Sequence, residues 1–302
     1  FPDFPDDSRD VASIAEFYVL PAYRRRGVGR AAIEALLADH RARGTFEVEA
    51  GTVYVVPYND LERLGVILAD HGSEIAAVVM EPVLENIGIV LPDEGYLAGV
   101  RAACDAHGVL LVFDEVKTGL TAGYGGASQR LGVTPDLVTL AKSIGGGLPL
   151  AAFGGRREVM ETISDWRMPH FGTYNGNPLV MAAALAVDDI CTHEALAAAE
   201  AVNNGALTAS DAIIAAYDLP AHTVGFGVKG AITWSPSPVR NYRDYKRTDF
   251  GIAELSWLWG VNRGVLTPPG LDEQWLVSLA HTPADMNLLV EHFAELAEAV
   301  RA

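Results

Sequence analysis

Two residues in this chain combine reactive side chains with a setting that could bring them together: the carboxylate of Asp114 and the amine of Lys142. Each closes a short apolar run, Val109–Phe113 and Leu137–Leu140. Runs of this length bounded by turn signals suggest strands buried on both faces of a parallel sheet. The 28 positions from Asp114 to Lys142 leave room for a crossover between parallel strands. In such sheets ligands lie outside the carboxyl ends of the strands, so an acid and an amine would meet over one crevice. The plainer alternative is a strand-end aspartate and a surface lysine before turns, and spacing alone leaves it open.

The acid–amine pair suits pyridoxal 5′-phosphate, which needs a lysine to form a Schiff base and a carboxylate to keep its pyridine nitrogen protonated. Burial beside Gly145, Gly146 and Gly147 would lower the pKa of the amine and make it a better nucleophile. The wording of the segment goes further. FDEVKTG followed by PDLVTLAKSIGGGLPLAAFGG resembles the class III, fold-type I pyridoxal-phosphate aminotransferases, above all the glutamate-1-semialdehyde aminomutase-like branch. MEPVLEN (80–86), FGTYNGNPL (171–179) and LTPPG…VSLAHTPADM (266–286) extend the similarity, in order, over residues 51 to 302.

The resemblance implies that Asp114 pairs with the pyridine nitrogen, Val116 packs on the ring and Lys142 carries the cofactor. Asn86 matches an asparagine near the ring hydroxyl, although an asparagine in a turn often only bonds backbone. Thr173 would contact the cofactor phosphate of a neighbouring subunit, which implies a homodimer acting on a small amine or amino acid. The implied fold is α/β, the mostly parallel sheet of a fold-type I large domain, incomplete here, with a smaller α+β C-terminal domain. The corresponding division is 1–50, 51–200 and 201–302.

Residues 1–50 read differently. A strand over Ile14–Leu20 leads to Arg24-Arg25-Arg26-Gly27-Val28-Gly29-Arg30 and then to a helix with Ile33, Leu36, Leu37 and His40 on one face. A glycine turn opening a helix presents unpaired N–H groups to an anion. The phrase IAEFYVLPAYRRRGVGRAAIEALL resembles the coenzyme A pyrophosphate loop of the acetyl-CoA-dependent N-acetyltransferases. The remaining strands of that fold are not found. A basic, solvated helix start packed on its neighbour is the competing reading. The N-terminal half implied by the aminotransferase resemblance, with its phosphate cup, stacking aromatic and substrate-reading arginine, has no match before residue 51 either. The expected function is therefore a Lys142-based aminotransferase or aminomutase. An acyl-CoA acetyltransferase or a non-catalytic remnant stand as alternatives.

Totals narrow the classes. With 302 residues, half of them hydrophobic, the chain can bury a large core. A formal charge of −17 argues against nucleic acid or anionic membrane as partner. Cys104 and Cys191 form no CxxC, so neither a disulfide framework nor a zinc site is expected, and a cytoplasmic location is the simplest reading. The histidines show no paired ligand spacing, so no metal is expected. Lys142 and Ser143 precede the glycines, the reverse of a Walker loop.

Overall fold

The computed structural model describes residues 17–21, 53–268 and 274–301. Six strands form the first sheet: β1 (Phe17–Pro21), β2 (Tyr54–Val56), β3 (Ile75–Met80), β4 (Leu110–Asp114), β5 (Leu137–Leu140) and β6 (Ala152–Gly155), in the order β2-β1-β3-β4-β5-β6. The parallel character resides in the centre, where β3, β4 and β5 run together. The flanking pairs are antiparallel, with β1 between β2 and β3 on one side and β6 on the other.

Helices α1 (Leu61–His71) and α2 (Tyr96–His107) supply the connections around β3. Asp60 caps α1 by accepting from the Arg63 N–H at 2.9 Å, as the Asn59-Asp60 pair suggests. Leu64 and Leu68 of α1 and Val100 and Cys104 of α2 meet Val78, Leu111 and Phe113 of the sheet in one core. Each fully buried leucine or phenylalanine there contributes about 1.5–3 kcal/mol. Only one face of β4 is sealed: Leu111 and Phe113 are buried, whereas Leu110, Val112 and Asp114 are half-exposed. The expectation of strands buried on both faces therefore fails for β4, and every residue of β5 is also half-exposed.

Helix α3 (Gly126–Leu131) lies between β4 and β5, and beyond β5 come α4 (Arg157–Ser164), α5 (Pro178–Ile190) and the long α6 (His193–Tyr217). Asn177 caps α5 through the Val180 N–H at 3.1 Å, with Pro178 in its first turn. A second, antiparallel sheet joins β7 (His222–Phe226), β8 (Lys229–Thr233) and β9 (Gln274–Leu276). It packs with α6 and the last helix in a core that includes Ala199, Ala206, Trp234, Phe293 and Leu296.

Sequence periodicity carries helix to residue 223, but Asp218 adopts a left-handed φ of 49° and stops α6, so His222 opens a strand. The charged and aromatic segment 240–245 reads in sequence as a solvated loop, but it is a clamp. Asn241 caps the short helix α7 (Tyr242–Tyr245), both tyrosines pack on the first core, and Arg240 pairs with Asp93. Two further helices, α8 (Phe250–Val261) and α9 (Pro283–Arg301), complete the described chain. No helix among the described residues is long and apolar enough to cross a membrane.

Candidate active site

Strand register brings the sequence-predicted pair together. Met80 lies opposite Phe113, and Asp114 opposite Thr139, so β3, β4 and β5 end side by side. Glu81 follows β3 directly, Asp114 ends β4, and Lys142 stands two residues past β5. The Lys142 amine feels the charges of Lys117, Asp114, Glu81 and Glu85.

The backbone at Lys142 is unusual. Its φ is 52°, a region that non-glycine residues rarely occupy and that marks strain at functional positions. It opens a 3-10 turn, Lys142–Gly145, followed by Gly146 and Gly147 at φ 56° and 93°. A Cβ on Gly146 would sit 2.9 Å from Val187 Cγ2, so glycine there lets α5 pack against the turn that presents the lysine. Lys142 is more exposed than its glycine-rich surroundings suggest, because those glycines shape the turn and do not cover it. Even so, partial desolvation and the nearby Lys117 charge lower the amine's pKa, against the opposing pull of Asp114, Glu81 and Glu85.

Asp114 is half-buried, and its Oδ1 accepts from the Val116 N–H at 3.0 Å, which fixes the carboxylate and places Val116 beside it. Asn86 is exposed and its Nδ2 donates to Glu81 Oε1 at 2.9 Å, while the Glu85 N–H donates to Glu81 Oε2 at 3.1 Å. Those bonds do not offset burial, and with the Asp114 charge nearby Glu81 is pushed up to about 7. Thr173 lies apart on an exposed turn before α5, between Phe171 and Tyr174, which are 78% and 83% exposed. The loop Arg24, Arg25, Arg26, Gly27, Val28, Gly29, Arg30 lies outside the described residues.

Two buried acids brace this edge from behind. Glu115 accepts from the Ala127 and Ser128 N–H groups at 2.6 and 3.0 Å and so holds the start of α3. Asp136 accepts from the Leu111 N–H, Arg101 and Arg156 at 2.7, 2.7 and 2.9 Å. Burial works against its charge, but these donors outweigh it and hold the carboxyl below its usual range. Sequence reasoning missed Glu85, Lys117, Lys229 and Gln274, which cluster beside the site. The first two lie inside the motifs MEPVLEN and FDEVKTG, and a lysine in the apolar strand KGAIT was the available signal for the third. A cavity of about 530 Å³ lies against β5, lined by Leu120, Tyr124, Leu137, Leu140 and Ile144; Asp114 and Lys142 do not line it.

An amine held below its usual pKa and a carboxylate thus stand at adjacent parallel-strand ends of an α/β sheet. The aminotransferase class-III model matches residues 38–231, and the chain belongs to that family. A glutamate-1-semialdehyde 2,1-aminomutase of Symbiobacterium thermophilum is 39% identical over 266 residues, which are 84% of this chain and 60% of that protein. The chain thus spans about 60% of the length of the curated relatives it matches. Among solved structures, a glutamate-1-semialdehyde aminomutase from Pseudomonas aeruginosa PAO1 in complex with PMP aligns with a TM-score of 0.74 at 30% identity, over 80% of this chain and 55% of that one. A β-phenylalanine aminotransferase from Variovorax paradoxus aligns with a TM-score of 0.77 at 30% identity, over 82% and 57%. The acetyltransferase (GNAT) family model also matches residues 2–60. The family's cofactor is pyridoxal 5′-phosphate, and the donor set here fits it: a lysine amine of lowered pKa, a fixed carboxylate and Val116 beside that carboxylate.

Proposed function

We propose that this chain performs amino-group transfer on a small amine or amino acid with pyridoxal 5′-phosphate, as a transaminase or an aminomutase. The observation that carries this reading is the meeting of Asp114 and Lys142 at the ends of β4 and β5, with the amine held below its ordinary range by desolvation and Lys117. When bound, the cofactor supplies a sink for the electron pair left on a carbon that loses its proton. Asp114 would face the ring nitrogen and keep its proton in place, with the Val116 N–H orienting the carboxylate. Lys142 Nζ would hold the cofactor and, once released, take a proton from the substrate carbon and return it. A lowered pKa favours the neutral amine that this task needs. Val116 would pack on the ring, and Asn86 would lie near the ring hydroxyl while bonded to Glu81. Transamination and internal migration of an amino group both use this same pair.

The working unit in this proposal is a homodimer in which Thr173 reaches the cofactor phosphate of the second copy. Exposed Phe171, Tyr174, Leu179 and Leu185, each more than 60% accessible, supply an apolar surface of the kind that association covers. Residues 51–200 would bind the cofactor and 201–302 form the smaller domain, while from 1–50 the strand β1 joins the first sheet between β2 and β3. A coenzyme A role for Arg24–Arg30 rests on the second family match alone and is not adopted. The unpaired thiols of Cys104 and Cys191 accord with a cytoplasmic location. The test is the visible absorbance of the full chain mixed with pyridoxal 5′-phosphate. Wild type should gain a yellow band that Lys142→Ala lacks and that amine donors bleach. Identical spectra from the two proteins would sink the proposal and leave a non-catalytic remnant as the reading.

A further inference from the structure

Glu85 has no exposed surface and Lys229 retains only 6%, yet both carry charge into the interior. They pair through Glu85 Oε2 and Lys229 Nζ across 144 positions of sequence, joining the loop after β3 to the middle strand of the second sheet. Lys229 Nζ also donates to the Lys117 carbonyl at 3.1 Å. The Glu85 carbonyl accepts from Lys117 Nζ and from Gln274 Nε2, the latter at 2.8 Å, and Gln274 Nε2 donates to the Gly88 carbonyl as well. Both outer residues of this knot, Lys229 on β8 and Gln274 on β9, belong to the three-stranded sheet. Its inner residues belong to the two segments that carry Glu81, Asn86 and Asp114.

A pair this deeply buried is a poor source of stability. Desolvating two charges costs several kcal/mol, and apolar replacements of similar volume often serve as well or better. Here the carboxylate is not even fully satisfied, since Glu85 Oε1 is buried with no hydrogen-bond partner. Its surroundings point to another role. The charged groups acting on Glu85 are Lys229, Lys117 and Lys142, and Lys142 acts on Lys229 in turn. Among the described residues, the charges acting around the Lys142 amine include Lys117, Lys229, Asp114, Glu81 and Glu85. Of these, Lys229 comes from the second sheet.

We propose that Glu85 and Lys229 form a positioning pair through which the three-stranded sheet seats the 81–90 loop and sets the electrostatic field at the Lys142 amine. Glu85 holds the loop through its backbone carbonyl and its side chain together, and the loop in turn presents Glu81 and Asn86 beside Asp114. Lys229 balances the Glu85 charge, so the amine meets a nearly neutral pair and not an isolated carboxylate. The proposal rests on Lys142 being the reactive amine of the reading above.

The test uses the full chain without cofactor. Competitive acetylation of Lys142 by trace acetic anhydride, followed across pH by mass spectrometry of its peptide, reports the protonation of that amine directly. Glu85→Gln leaves Lys229 unbalanced, and Lys142 labelling at pH 8 should speed up at least about threefold. Glu85→Gln combined with Lys229→Met removes both charges and should return labelling to within about twofold of wild type. Should Glu85→Gln fail to fold, Lys229→Met alone, which leaves the Glu85 charge unbalanced, must shift Lys142 labelling in the opposite direction and slow it. An unchanged Lys142 profile in a folded single variant overturns the proposal. So does an equal change in single and double variants, which would mean packing and not charge. Because no cofactor is present, this failure is separable from failure of the absorbance test with Lys142→Ala.

Discussion

Glu81 offers the sharpest quantitative prediction. Its carboxyl is buried beside the Asp114 charge and is pushed up to about 7, from 4.5 in an unstructured chain. Because the folded protein holds this proton more tightly than the unfolded one, stability falls as pH rises from about 4.5 through about 7. At about 1.4 kcal/mol per tenfold, the whole gap corresponds to about 3 kcal/mol, of which about 2 kcal/mol is lost between pH 5.5 and 8.5. Glu81→Gln resembles the protonated acid and keeps an acceptor for Asn86 or the Glu85 N–H. The substitution should therefore stabilise the protein relative to wild type by about 1 kcal/mol at pH 5.5 and by about 3 kcal/mol at pH 8.5. Urea unfolding of both proteins at pH 5.5, 7.0 and 8.5 gives the comparison. Parallel pH dependences would mean that Glu81 titrates as an ordinary surface acid, and the account of this strand end would be wrong.

Other perturbations probe the frame around the site. Asp136→Asn leaves the Leu111 N–H, Arg101 and Arg156 competing for one neutral oxygen, and should cost about 2–4 kcal/mol in urea unfolding at pH 7. Since the Asp136 carboxyl is held below its ordinary value, its stabilisation is present above 3.8 and fades as pH falls through the lower folded value, so the deficit of the variant should shrink in acid. Gly227→Ala combines a φ of 61° with a Cβ only 2.0 Å from the Thr121 carbonyl oxygen, and should destabilise by about 3 kcal/mol or more in thermal or urea melts. Cys104 is fully buried and its thiol is pushed up to about 12, so a thiol reagent should modify Cys191 in native protein and reach Cys104 only after denaturant is added.

The centre of the fold was legible because local signals agreed there. Apolar runs, turn residues and the spacing of Asp114 and Lys142 all reported one parallel βαβ arrangement, and register then placed both residues at neighbouring strand ends. The caps at Asp60 and Asn177 were equally readable, since each satisfies a helix-end N–H through the residue type that sequence displays. What sequence did not display is long-range. Glu85 and Lys229 pair across 144 positions, and no local pattern in MEPVLEN or KGAIT says that either side chain points inward. The β7 strand was hidden by the helical character of the preceding alanines, which only the left-handed turn at Asp218 interrupts. Tyr242 and Tyr245 read as loop residues because the surface they pack on is assembled from elements more than 100 positions away.

The charges at the strand ends form a system. In the proposed reaction, a lysine that sheds a proton and an aspartate that keeps its charge make opposite demands on one small volume. Asp114 alone would hold the Lys142 amine protonated; Lys117 and partial desolvation pull the other way and prevail. Glu81 resolves the remaining conflict by yielding its own ionisation. Near pH 7 it carries only a fraction of a negative charge, so Asp114 has no fully charged neighbour at the end of β3. Burial pushes the Glu85 carboxyl up, and Lys229 from the second sheet pulls against that shift. The same arithmetic links the three acids to three lysines: remove any one partner, and the cheapest response for the buried remainder is to change protonation, with Lys142 among the groups that must readjust.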